Sequence, residues 1–149
     1  MLEFAQHWEK RTSRRVNPSQ EIQSMAHEEC DEVFSRVAQP LECDLEAVKG
    51  LERLGAAGIT SAPVVDDNGV LVGIVFLATL ARLREVAELE VEDAMLTDLI
   101  CVSSGTSVAD LVRLMARYHL ERVPVTTEDG HLIGVVSAID VVCWLAERL

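Results

Sequence analysis

Near the C-terminus Ser137 and Asp140 stand three positions apart, where a β-branched run gives way to helical spacing, with Gly134 three positions earlier. A carboxylate in the first turn of a helix is kept ionised by the helix dipole and accepts two O–H donors in charge-assisted bonds. The same helix N-terminus favours a phosphate. Ser137-x-x-Asp140 is also a capping box, which needs no ligand. The residue types alone leave a binding role and a structural role open.

Other chemistry is poorly supported. Cys30, Cys43, Cys101 and Cys143 form no CxxC pair, which argues for reduced, partly buried thiols and against a zinc knuckle or a redox motif. His27, Glu28 and Cys30 fall short of the spacing that puts two metal ligands one helical turn apart. The chain has no Gly-x-Ser-x-Gly elbow, P-loop or dinucleotide glycine fingerprint, and nothing supplies a base or oxyanion element to Cys101 or Cys143. An enzyme is therefore disfavoured. A net charge of −12, from 13 Lys plus Arg against 25 Asp plus Glu, repels a nucleic-acid backbone. No apolar run is long enough to span a membrane and the N-terminus lacks the order of a signal peptide, so the expected location is the cytoplasm, with no nucleic-acid or membrane partner.

The elements that position Ser137 and Asp140 follow from a repeat. Residues 62–75 recur 61 positions later as 123–136, with Pro, Val, Gly, Leu, Gly and Val at the same six of fourteen places. Two copies of a 61-residue period are too long and too few for a solenoid; they make one pseudo-two-fold domain whose sites come in matching pairs. With 149 residues and 49% hydrophobic content the whole chain can bury a core that half of it cannot.

Asn68-Gly69 and Asp129-Gly130, each between β-branched runs, predict hairpins with type I′ turns. Helical spacing predicts helices over 45–54, 107–118, 77–89 and 138–149, the first ended by Gly55 and Gly58. Residues 1–30 stand outside the repeat and carry the basic cluster Lys10, Arg11, Arg14 and Arg15; a helical N-terminal segment is expected there, not needed for the core. The fold class is α+β: strands against two helices in each copy.

From residue 31 the chain resembles the tandem cystathionine-beta-synthase (CBS) domain pair, or Bateman module. The second copy carries the resemblance best, in Asp93-Ala94-Met95, Leu99-Ile100-Cys101-Val102, Thr106-Ser107-Val108, His119-Leu120-Glu121-Arg122-Val123-Pro124-Val125 and Gly134-Val135-Val136-Ser137-Ala138-Ile139-Asp140. The resemblance implies two β-α-β-β-α repeats, 31–91 and 92–149, packed through their sheets, with clefts that bind adenosine-containing ligands. It implies that Asp140, with Ser137, takes the ribose hydroxyls and that Arg122 takes a phosphate. The backbone at Ile100 and Cys101 and the side chain of Val123 would form the adenine slot.

The first copy departs from this pattern. Phe76 and Thr79 replace Ser137 and Asp140, and Pro40 replaces Cys101, so its cleft is expected to be empty or filled by its own side chains. Leu96 also stands where the family often has Thr. The expected function is a regulatory module, binding AMP, ADP or ATP with NAD or S-adenosylmethionine as further candidates, that signals to a regulated protein. The alternative is a ligand-free dimerisation or interaction module. A homodimer is expected, paired through apolar helix flanks at Leu80, Leu83 and Val86 and at Val141, Trp144 and Leu145.

Overall fold

The computed structural model describes residues 29, 30, 33 and 39–148. In chain order these form β1 (Leu41–Glu42), α1 (Ala47–Ala57), β2 (Ser61–Val65), β3 (Leu71–Phe76), α2 (Leu77–Leu83), α3 (Val91–Ala94), β4 (Val102–Ser103), α4 (Val108–Tyr118), β5 (Arg122–Thr126), β6 (Leu132–Ser137) and α5 (Ala138–Arg148). Two three-stranded sheets result, β1-β2-β3 and β4-β5-β6, each with a parallel first pair and an antiparallel hairpin. The register slips at the same place in both, between Val64 and Val65 and between Val125 and Thr126. The α+β duplication is thus realised in register as well as in order. The expected N-terminal helical segment and its basic cluster lie outside the described residues.

Local chemistry changes some of the expected details. The hairpin turns are not type I′, because only Gly69 (φ 80°) and Gly130 (φ 85°) have positive φ while Asn68 and Asp129 do not. The Asp66 carboxylate accepts the amides of Asn68 and Val70 at 2.9 and 3.0 Å, and the Gly69 amide donates to the Asp66 carbonyl at 3.0 Å. That is a type I turn closed by a left-handed glycine. In the second copy the Thr127 hydroxyl accepts the His131 amide at 3.1 Å. Helix α1 runs through Gly55 and stops only at Gly58, which is left-handed at φ 66°. The helix expected over 77–89 ends at Leu83, and the chain turns, with Glu88 at φ 63°, into the short α3.

The cores divide the chain differently from the repeat boundaries. Helix α3 contributes Val91 and Ala94 to the first core, around Leu41, Leu54, Val64, Val75 and Leu80. Cys30 and Val33, their counterparts at an offset of 61, enter the second core with Leu111, Val123, Val136 and Trp144. Their backbone pairing matches as well: the Val91 amide bonds Leu45 O and the Cys30 amide bonds Thr106 O, both at 2.8 Å. Each half is completed by a segment that precedes the other half, and Cys30, placed outside the core by the repeat, is fully buried.

Volume is traded between the halves. A Cβ on Gly50 would lie 3.1 Å from Val91 and 3.2 Å from Leu41, so α1 approaches closely there. Its counterpart, Leu111, is fully buried, and the positions matching Val91 and Leu80 are held by the smaller Cys30 and Val141. Each core is filled by a different combination of the same positions.

The halves join through the hairpin tips. The Leu71 amide bonds Gly130 O and the Leu132 amide bonds Gly69 O, both at 3.0 Å, a reciprocal pair across the pseudo-dyad. A second junction, between Ile74 and Leu96 (2.9 and 2.8 Å), ties β3 to the linker before β4. Of the apolar flanks expected to pair two copies, Leu80, Val141 and Trp144 are buried in their own cores, whereas Val86 is 50% exposed. On α5 the apolar side chains left exposed are Ile139 (63%) and Val142 (56%).

Candidate functional site

Strand alternation decides which side chains reach the space between the halves. On β5, Val123 and Val125 are fully buried against the second core; Arg122, on the other face, is exposed and stands opposite Ser137 across the hairpin. The Val123 side chain thus presents no accessible surface to the groove that Arg122 lines. Cys101 lines a shallow hollow with Leu114 and Tyr118, which shares Asp98, Leu99 and Ile100 with that groove.

Ser137 and Asp140 meet as the spacing predicts. The Ser137 amide donates to Asp140 Oδ2 at 2.8 Å, and the Asp140 amide donates to Ser137 Oγ at 3.1 Å. This reciprocal box closes the start of α5. It occupies one carboxylate oxygen; among the described residues Oδ1 carries no hydrogen bond. The carboxylate is half-exposed and already oriented. In the first half neither Phe76 nor Thr79 makes such a box: the N-terminus of α2 has no side-chain cap.

The structure does not gather all the predicted residues. Ile100 and Arg122 line a groove of about 460 Å³ together with Phe76, while Ser137 and Asp140 are not in its lining. Thr60, Ser61, Ile74 and Phe76 form one wall, the linker through Leu96, Asp98, Leu99 and Ile100 another, and His119 to Arg122 the third. Phe76 is 42% exposed on this wall, so the first cleft is open and not filled by its own side chains. A cleft thus combines the hairpin of one half with the linker and strand entry of the other. The sequence reading drew its site residues from the second copy alone and did not single out Thr60, Asp98 or Glu121. The signal was there in the 61-residue offset, which assigns 35–39 and 58–61 to the cleft of Ser137; residues 35–38 lie outside those described.

No other polar cluster matches this. Among the described residues no group of three His, Cys, Asp or Glu is placed to hold a metal ion. Burial, and then the carboxylates of Glu92, Asp44 and Asp67, raise the Cys43 thiol above the usual range. The Glu42 carboxyl is lowered by a backbone hydrogen bond and by its ion pair with Arg53 at 2.8 Å.

The family model described as CBS domain matches residues 45–85 and 91–147. The chain belongs to the CBS domain family. Its two matched segments make it a tandem CBS pair, and solved CBS pairs share its fold. CBSX2 in complex with AMP superposes with a TM-score of 0.74 at 25% identity, covering 81% of this chain and 98% of that one. The cytosolic domain of the Mg2+ channel MgtE in complex with ATP gives 0.70 at 25% identity, covering 81% and 50%. Among curated relatives, inosine-5'-monophosphate dehydrogenase of Bifidobacterium longum is 33% identical over 114 residues, 71% of this chain and 20% of that protein. The choline transport ATP-binding protein OpuBA of Bacillus subtilis is 29% identical over 118 residues, 77% and 31%. The chain thus spans a fifth to a third of these relatives, and the shared part is the CBS pair.

Proposed function

We propose that this CBS pair is a cytoplasmic regulatory module that binds one adenine nucleotide beside Ser137 and Asp140 and signals occupancy to a partner protein through a change in packing or association. The observation that carries this reading is the half-engaged carboxylate. The capping box fixes Asp140 through Oδ2 and leaves Oδ1 to accept a ribose hydroxyl. Arg122, the cross-strand neighbour of Ser137, is the cation for a phosphate. The AMP and ATP complexes of the structural relatives support the ligand class.

Titration calorimetry with AMP and adenosine tests it. Asp140→Ala weakens both by about 10 to 150-fold, the loss of a charge-assisted bond, while Thr79→Ala changes little. Arg122→Ala weakens AMP more than adenosine. Because Asp140→Ala also removes a cap worth about 0.5–2 kcal/mol, its unfolding is measured beside its binding. Unaltered AMP affinity in a folded Asp140→Ala protein refutes the site.

The exposure of Ile139 and Val142 favours a second reading, a homodimer formed through α5 with or without ligand. Light scattering that finds only the 16.4 kDa monomer at tens of micromolar rejects it.

A further inference from the structure

The groove between Phe76 and Arg122 is not a copy of the Asp140 site. At the helix start beside it Thr79 replaces Asp140, so it lacks the carboxylate that would take a ribose diol. It has an apolar floor: Phe76 (42% exposed) and Leu96 (57%) are among the large apolar side chains left in solvent, and Ile100 adjoins them.

Its rim is charged with both signs. Arg53, Arg113 and Lys49 are each held in an ion pair, whereas Arg122 makes none among the described residues. Asp98 and Glu121 share the groove with Arg122 and are likewise unpaired. Opposite charges line one groove without meeting, with apolar surface between them. One cation against two carboxylates opposes a polyphosphate. It suits a ligand that carries both charges and can bridge them. At about 460 Å³ the groove has the size of a small-molecule site.

We propose that this groove binds an apolar α-amino acid, its carboxylate on Arg122, its ammonium toward Asp98 and Glu121, and its side chain on Phe76 and Leu96. The proposal needs no contact with Asp140, but Arg122 serves both ligands, so AMP and L-phenylalanine compete for it. Calorimetric titration of the full chain with L-phenylalanine, with phenethylamine and with hydrocinnamate tests it, since the two analogues each lack one charge. One L-phenylalanine binds per chain and each analogue binds at least about ten-fold more weakly, the loss of one charge-assisted contact. Arg122→Gln weakens L-phenylalanine and hydrocinnamate by about ten-fold and leaves phenethylamine unchanged; Asp98→Asn with Glu121→Gln weakens L-phenylalanine and phenethylamine and leaves hydrocinnamate unchanged. Phe76→Ser weakens all three, and Asp140→Asn weakens none, which separates this site from the nucleotide site. Phe76, Asp98, Glu121 and Arg122 are exposed and Asp140 is partly so, and circular dichroism confirms that each variant is folded. The proposal is overturned if L-phenylalanine fails to bind at about 10 mM, if the analogues bind as well, or if the charge variants leave the pattern unmoved.

Discussion

Gly73→Ala is the sharpest test of how the halves are joined. A Cβ there would fall 2.5 Å from Met95 Sδ, 2.8 Å from its Cγ and 3.0 Å from the Leu96 carbonyl. The thioether can swing away, but the carbonyl is backbone and holds one side of the Ile74–Leu96 pair at 2.9 Å. Overpacking of this kind costs about 1–3 kcal/mol. Weakening the Ile74 amide's bond to that carbonyl adds about 1 kcal/mol, so the expected loss is about 2–4 kcal/mol. For a chain of this length that lowers Tm by roughly 5–15 °C. Urea and thermal unfolding measure the loss, and Met95→Ala in the Gly73→Ala background recovers the thioether's share and leaves the carbonyl's. Ile74 and Leu96 also line the groove, so amino-acid binding weakens in parallel. A Gly73→Ala protein within about 0.5 kcal/mol of wild type would show that β3 and the linker do not need this close approach.

Gly55→Ala acts in the opposite direction, stabilising by about 0.5–1 kcal/mol in urea melts, because nothing lies within 4 Å of the new Cβ and the helix gains a better former. Leu111→Ala costs about 2–5 kcal/mol in the same melts, since its fully buried side chain fills what Gly50 leaves to others in the first half. A chain starting at Asp31 is less stable than one starting at Glu29 by about 1–2 kcal/mol, through loss of the buried Cys30 and of its bonds to Ser103 and Ser104 carbonyls at 3.4 Å; equal stability would return that residue to the exterior. Alkylation of Cys43 is slow at pH 8 and accelerates only at higher pH, because its raised pKa withholds the thiolate. Asp44→Asn with Glu92→Gln speeds it partway, the burial remaining; mass-resolved iodoacetamide kinetics read this out.

Much of this architecture is legible in the residues because periodicity is a local property. Pro63 and Pro124, Gly69 and Gly130, and the valines between them mark the same hairpin twice, and the apolar spacing of α4 and α5 sets their buried faces. The turn type was not legible from Asn68-Gly69 alone, since the Asp66 carboxylate draws in two amides and selects a different backbone path. Leu83 ends α2 early because the chain must turn to deliver Val91 to the first core. The site was legible as chemistry and not as geometry. Ser137 and Asp140 form the predicted box, whereas Arg122 and Ile100 border a groove that both halves build. Nothing in a single copy says that its hairpin is matched with the other copy's linker.

The exchange of Cys30 and Val33 for Val91 and Ala94 between cores bears on what one half does by itself. A chain of residues 29–89 holds a completing segment with no core of its own to receive it, and a core whose segment has been cut away. Two such chains satisfy each other, each lending its leading segment to its twin, as in domain swapping. Tandem duplication then turns an intermolecular loan into a covalent one, and the pair becomes free to let its two clefts diverge.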